Sequence, residues 1–306
     1  MANLTLKQFR YFEALAAEGH FGRAADSCAI SQPALSMQIK ELEETLGTPL
    51  FERGARTIRL TRFGEDFAIR IRDILRSVDE LGDLARASKG QLAGRLRLGV
   101  IPTVAPYLLP TVMRDLTRTY PGLDLHIRET VTPRLLQDLA EGRLDCAIVA
   151  LPVSEPSLTE FALFAEDFVL VRPVKDADKA VPSAEALGEM RLLLLEEGHC
   201  FRDQALAFCN QQGVRPRELL DGSSLTTLVQ MVSAGIGVTL IPEMAVLLET
   251  RSGGVSLARF AGSPPSRTIG MVWRNASPLA AQLRQMATGV RKTAVGLRRG
   301  RQAERA

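Results

Sequence analysis

The chain has 306 residues, of which 46% are apolar and 24% charged, enough to bury more than one core and too apolar to stay disordered. No run approaches the roughly 18 to 20 uncharged apolar residues that span a bilayer, and M-A-N-L-T-L-K-Q-F-R lacks the basic-then-apolar pattern of a signal peptide, so a cytoplasmic protein without a membrane partner is expected. A net charge of +3, four cysteines and three scattered histidines exclude a disulfide framework and a Cys/His metal site, and no motif asks for a cofactor.

Residues 5–19 place Leu6, Phe9, Phe12 and Leu15 at helical spacing, and Gly19 supplies a stop. A short helix F-G-R-A-A-D-S-C follows, then the turn A-I-S, then a third helix from Q-P-A-L-S-M-Q-I-K to Gly47. Ser31 is a good N-cap and Pro33 lies in the first turn, where its missing N–H costs little. Two short helices joined by a tight turn make a helix-turn-helix. The stretch P-L-F-E-R-G-A-R-T-I-R-L-T then reads as two extended arms around a glycine turn, a wing, with Arg53, Arg56, Arg59 and Arg62 close together. From Gly64 a long helix runs to about Ser88, with Phe67, Ile71, Ile74, Val78, Leu81 and Ala85 forming a heptad seam that asks for a partner helix. Beyond the linker K-G-Q-L-A-G, short apolar strands alternate with helices: L-R-L-G-V-I, L-D-L-H-I-R-E-T, L-D-C-A-I-V-A-L, R-L-L-L-L and G-V-T-L-I-P. That alternation predicts parallel α/β sheets with covered faces, in two linked lobes. The chain ends in a basic tail with Arg291, Lys292, Arg298, Arg299, Arg301 and Arg305, so its basic patches are local and point to a polyanion.

The core A-A-x-x-x-x-x-S-Q-P-A-L-S followed by L-E-x-x-L-G-x-x-L-F-x-R resembles the N-terminal domain of LysR-type transcriptional regulators, and the resemblance extends over essentially the whole chain. It implies an α/β protein: a winged helix-turn-helix with a long linker helix, then a periplasmic-binding-protein-like regulatory domain of two α/β lobes. The expected boundaries are 1–62 for the DNA-binding domain, 63–90 for the linker and hinge, and 91–306 for the regulatory domain. Its lobes are expected at 91–163 plus 267–300 and at 164–266. Short polar side chains at the start of a helix that enters the major groove can reach base edges, so Ser31, Gln32, Pro33, Ser36 and Gln38 are candidates for contact with double-stranded DNA. Leu35 and Ile39 are expected in the core, and Arg53 in the wing suits phosphate or the minor groove.

In open α/β sheets ligands gather where a strand ends and the next helix begins. Those junctions fall at Thr103, at Thr132 before Pro133, at His199–Cys200 and in D-G-S-S-L-T-T. Read alone, the two threonines are plain N-caps; a cysteine at an equivalent junction changes that reading. A thiol at a helix N-terminus, beside an imidazole and two residues from Arg202, favours the thiolate, the species that peroxide oxidises. Cys209 lies in the apolar context A-L-A-F-C-N, which hides a thiol. If residues 200–209 form one helix, the two Cα atoms stand about 13 Å apart on opposite faces, beyond the roughly 7 Å that a disulfide tolerates. Two unrelated cysteines fit that geometry, as do two that bond only when the segment unwinds. Cys28 and Cys146 read as small core residues.

The segment G-H-C-x-R-D-Q-x-x-x-x-C, with I-P-T-V-A-P-Y-L-L-P and R-T-I-G-M-V-W-R, resembles the hydrogen-peroxide-sensing branch of the LysR family. That likeness implies a peroxidatic Cys200 that becomes a sulfenic acid and a resolving Cys209 that closes an intramolecular disulfide. It implies that Thr103 and Thr132 help hold peroxide, and that His199, Arg202, Asp203 and Arg267 tune or position the thiol. Phe201 stands where an aliphatic residue is more usual. As partners it implies promoter DNA, RNA polymerase, further copies of the chain as a dimer through the linker helix and a tetramer, hydrogen peroxide as effector, and glutaredoxin or thioredoxin as reductant. Two other readings use the same residues: a LysR-type regulator of a small anionic metabolite, and a thiol peroxidase, against which the helix-turn-helix argues.

Overall fold

The computed structural model describes residues 4–52, 58–88, 90, 92–210, 218–260 and 264–303. The chain divides into two compact units, Met1–Ala85 and Arg86–Ala306.

In the first unit, α1 (Leu6–Glu18) opens with a capping box in which Thr5 Oγ1 accepts from the Gln8 amide and the Gln8 side chain accepts from the Thr5 amide. It stops at Gly19, whose φ of 60° lies in the left-handed region. Next come α2 (Phe21–Ser27) and α3 (Gln32–Leu46), with Ser31 Oγ accepting from the Ala34 amide at 3.4 Å, the expected N-cap. Leu35, Ile39 and Leu42 of α3 are buried in a core with Phe12 and Leu15. After Gly47 the Glu43 carboxylate accepts from the amides of Leu50 (2.7 Å) and Phe51 (3.2 Å), which gives the L-E-x-x-L-G-x-x-L-F pattern a physical reason. Phe51 and Leu60 form an antiparallel bridge between the two arms. Residues 53–57, on which the expected glycine turn and Arg53 fall, lie outside the described residues.

The long helix α4 (Arg62–Ala87) starts two residues before the expected position. It meets the same core through Gly64, where a Cβ would stand 2.1 Å from the Leu50 carbonyl oxygen, so only glycine allows this approach. The seam expected as one stripe divides: Phe67 and Ile71 pack inside the unit, whereas Ile74 and Leu81 are 42% and 64% exposed.

The second unit begins with β1 (Gly94–Val100), α5 (Ala105–Thr119), β2 (Leu123–Glu129), α6 (Thr132–Ala140), β3 (Cys146–Leu151) and β4 (Leu158–Pro173). It continues through α7 (Ala184–Gly188), β5 (Arg191–Leu195), α8 (Cys200–Asn210), β6 (Glu218–Gly222) and α9 (Leu225–Ser233). It ends with β7 (Val238–Pro242), α10 (Val246–Glu249), β8 (Val255–Ala258), β9 (Ser266–Arg274) and α11 (Ala280–Ala303). Strand order is β2-β1-β3-β9-β4-β7-β5-β6, with β8 on β4. The expected parallel groups are there, β2 and β3 on β1, and β6 and β7 on β5. Between them run antiparallel strands that the alternation did not reveal. β4 pairs with β9 up to Asp167 and with β7 from Phe168, so it passes from one lobe to the other at that point. Glu166 and Arg267 are register partners just before the change. One continuous core joins the two groups.

Candidate functional site

Four strand-to-helix junctions converge beside the point where β4 changes partners. After β1, the Val104 and Ala105 amides turn back on the Ile101 carbonyl at 3.0 Å, which starts α5 at Ala105 and leaves Thr103 ahead of the helix. After β2, α6 starts at Thr132 with Val131 at its N-cap position. Neither threonine is an N-cap, the role each would have if read alone, because α5 and α6 have valines there with no side-chain cap bond. After β5, Gly198 adopts φ 90°, a left-handed conformation that favours glycine, and His199 leads into α8, whose first residue is Cys200. After β6, Ser224 caps α9 by accepting from the Thr227 amide at 3.1 Å.

Arg267 organises the first of these junctions. Its side chain is buried, its Nε donates to Glu166 Oε1 at 2.9 Å, and its terminal nitrogens donate to Thr103 Oγ1 (2.8 Å) and the Thr103 carbonyl (3.0 Å). The other Glu166 oxygen accepts from the Met244 amide at 3.1 Å, so one carboxylate ties the β7 end to Arg267. A guanidinium offers only donors, so Thr103 accepts and keeps its own hydroxyl proton to donate. Thr132 Oγ1 is buried with no hydrogen-bond partner among the described residues. Two hydroxyl donors are thus free beside Cys200.

Cys200, Phe201 and His199 from α8 and its junction, with Ile101, Pro102, Thr103, Val131 and Thr132, enclose a crevice that has no free volume for a water-sized molecule. Cys200 and Thr132 also line an open cleft of about 530 Å3. Thr103 and His199 line another, of about 430 Å3, that reaches Ser223, Ser224, Glu129 and Glu249. Burial pushes the half-buried His199 below the ordinary histidine pKa, with Glu196 opposing, so its imidazole is neutral at neutral pH. The Arg202 guanidinium donates to the Leu195 carbonyl at 2.8 Å and pairs with Asp221, which ties the first turn of α8 to β5 and β6. Asp203 is exposed at the open cleft. Phe201 is 1% exposed, its ring centroid 4.6 Å from that of Phe168 and 5.4 Å from the Arg267 guanidinium carbon. Cys209 falls in α8, so the backbone from Cys200 to Cys209 is helical.

The other two thiols are placed differently. Cys146 is fully buried in β3, and burial pushes its pKa well up. Cys28 follows α2 as its C-cap, half-buried, and burial pushes it up as well. Among the described residues no group of His, Cys, Asp and Glu is placed to hold a metal ion, and no helix is long and apolar enough to cross a membrane.

Sequence reasoning missed Glu166, Phe168 and the buried pair in which the Tyr107 hydroxyl donates to Glu249 at 2.6 Å. Burial and that carboxylate raise the Tyr107 pKa strongly. The signal for Glu166 was available: a carboxylate inside F-A-L-F-A-E-D-F-V-L-V needs a buried partner.

On the first unit, Ser31, Gln32, Pro33 and Ser36 are exposed at the start of α3, while Leu35 and Ile39 point into the core as expected. Met37, which sequence reasoning passed over, is 63% exposed beside them. Gln38 is half-buried and its amide donates to Glu41 at 2.9 Å.

Comparison with known proteins bears on both units. A family profile described as a bacterial regulatory helix-turn-helix protein, lysR family, matches residues 6–65, and one described as a LysR substrate binding domain matches residues 89–294. A probable hydrogen peroxide-inducible genes activator of Streptomyces viridosporus is 44% identical over 293 residues, 94% of each chain. The full-length OxyR of Pseudomonas aeruginosa, solved as a cysteine-to-aspartate variant, superposes with a TM-score of 0.75 at 37% identity, over 95% of this chain and 96% of that one. A hydrogen-peroxide-bound cysteine-to-serine mutant of Corynebacterium glutamicum OxyR gives a TM-score of 0.67 at 35% identity, over 96% of this chain and 93% of that one.

Proposed function

The chain belongs to the LysR family of bacterial transcriptional regulators, and we propose that it works as the hydrogen-peroxide sensor of that family's OxyR group. Peroxide enters when the crevice beside Cys200 opens, held by the hydroxyls of Thr103 and Thr132. The sulfur attacks one peroxide oxygen, the O–O bond breaks, and Cys200 becomes a sulfenic acid as water leaves. Cys209 then attacks that sulfur, a disulfide forms and a second water departs. The observation that carries this reading is the pair of free hydroxyl donors beside a cysteine at the first position of a helix.

Nine residues of α-helix hold the two Cα atoms about 13 Å apart, so closing the disulfide requires α8 to unwind. Phe201 and Arg202 leave their partners as it does, and the change reaches DNA through the α3 heads. Those heads read base edges with Ser31, Gln32, Pro33, Ser36 and Gln38, with Arg53 on the backbone. The exposed stripe of α4 supports a dimer, which pairs into a tetramer on promoter DNA and contacts RNA polymerase. Glutaredoxin or thioredoxin resets the thiols in the cytoplasm. Arg267 holds Thr103 in place, while His199 and Asp203 border the thiol on its two sides. A small anionic metabolite is less well served, because Glu129 and Glu249 line the 430 Å3 cleft.

Footprinting on promoter DNA with reduced and peroxide-treated protein tests the proposal. The protected region should change on oxidation in the wild type and stay fixed in Cys200→Ser; a normal response in that variant would sink it.

A further inference from the structure

Glu166 does not line the crevice beside Cys200, yet it is buried, 1% exposed, where β4 leaves one lobe for the other. It faces Arg267 across the antiparallel ladder, on the same face of the sheet. Its Oε1 accepts from Arg267 Nε at 2.9 Å and stands 2.8 Å from Arg267 Nη2, so a single oxygen holds one edge of the guanidinium. The planar fork then aims its remaining nitrogen, Nη1, at Thr103 Oγ1. Glu166 Oε2 accepts from the Met244 amide, which fixes the carboxylate itself. A buried ion pair is a weak source of stability, because desolvation offsets the attraction and an apolar pair of similar volume often serves as well. What an apolar pair could not do is set a donor against Thr103 Oγ1, so that the threonine proton points elsewhere.

We propose that Glu166 is a positioning residue for the oxidation of Cys200, acting through Arg267 on the direction of the Thr103 hydroxyl. The carboxylate has two acceptor oxygens and uses both, one on Arg267 and one on the Met244 amide. A glutamine at this place has one acceptor oxygen. With that oxygen on Arg267, its NH2 group meets the Met244 amide, donor against donor; flipped, it meets the guanidinium in the same way. Either arrangement releases the edge that holds Arg267, and Nη1 no longer fixes which way the Thr103 proton points. This inference rests on Cys200 being the thiol that hydrogen peroxide oxidises, with Thr103 as a donor to the peroxide.

The test compares two rates at Cys200 in reduced full-length protein, oxidation by hydrogen peroxide and alkylation by iodoacetamide, each read by mass spectrometry. Iodoacetamide reports exposure and thiolate content and needs no hydroxyl donor. Glu166→Gln should slow peroxide by about 10- to 100-fold, the scale of a misplaced group. It should leave iodoacetamide no slower, since removing a negative charge does not disfavour the thiolate. In a Thr103→Val background the same substitution should change the peroxide rate by less than about twofold, because its route is already cut. Glu166→Asp keeps the charge and draws the carboxylate back by one methylene; it should slow peroxide by at least about threefold, and it stands in if the glutamine variant folds poorly. A folded variant at the wild-type peroxide rate, an equal slowing of both reagents, or full additivity with Thr103→Val overturns the inference alone. Failure of hydrogen peroxide to oxidise Cys200 in the wild type overturns the sensor reading and this inference together.

Discussion

Helices α3 and α8 start alike and are held differently. Each follows a polar junction and carries its chemistry in the first turn, Ser31 to Ser36 in one and Cys200 in the other. α3 is then fixed along its length by the Ser31 cap, three buried residues, a left-handed Gly47 and the Glu43 contact to the following chain. Of the side chains described on α8, only Phe201 and Ala205 are fully buried. A helix that reads a groove must keep one geometry, whereas a helix that answers oxidation must be able to lose it. The contrast lies in the end contacts of α3, the Ser31 cap and the bonds of Glu43 to the chain that follows.

The largest effect should come from removing an anchor of α3. Leu35 is fully buried, and Leu35→Ala should cost the first unit about 2–5 kcal/mol through lost burial and a residual cavity. The single tryptophan, Trp273, lies in the other unit and is blind to this loss. Amide hydrogen exchange of α3 is the suitable measurement, together with promoter binding, which should fall in both redox states. Unchanged exchange would contradict the view of α3 as firmly anchored.

On α8 the corresponding anchor is Phe201, which packs on Phe168 and lies over Arg267. Phe201→Leu removes an aromatic pair and a cation–π contact, together about 1–3 kcal/mol. Both contacts stabilise the helical, reduced state. Their loss shifts the balance towards the disulfide, whose midpoint potential should become more negative by about 20–60 mV. In the wild type, a disulfide closed against helix structure should lie above about −300 mV. A glutathione redox titration reads both values, and an unshifted potential in Phe201→Leu would remove Phe201 from the list of anchors.

Much of this was legible in the sequence, for physical reasons that can be named. Caps, left-handed glycines and helical spacing are local, so α1 to α4 and the Ser31 cap followed from short stretches. The strands ahead of α5, α6 and α8 showed as apolar runs. β4 did not, because a strand that changes partners midway mixes two burial patterns: Glu160 is exposed while Glu166 in the same strand is buried. The heptad seam of α4 was visible, but not that its first residues serve the core of their own unit. Thr103 and Thr132 were found as junction residues, and only the equivalent place of Cys200 set them apart from plain caps. Their free hydroxyls depend on Arg267, 164 positions away from Thr103, and on burial, which no local pattern contains.

The smallest expected effect concerns pH and the entry to α8. His199 is half-buried, and burial lowers its pKa below the ordinary value of 6.5 despite Glu196 nearby. Below that ordinary value the unfolded chain takes up a proton that the folded junction resists. Stability therefore rises with pH across the window between the lowered pKa and 6.5, is fully present above it, and is lost as pH falls through it. His199→Asn removes the titrating group. Hydrogen exchange of α8 amides in reduced protein, corrected for intrinsic rates, should show protection falling from about pH 7.5 to about pH 5.5 in the wild type and a flatter profile in the variant. α3 amides serve as the internal reference. Parallel loss of protection in α3 and α8 would assign the effect to the whole protein and not to His199; loss confined to α8 would mean that acid loosens the same helix that oxidation must open.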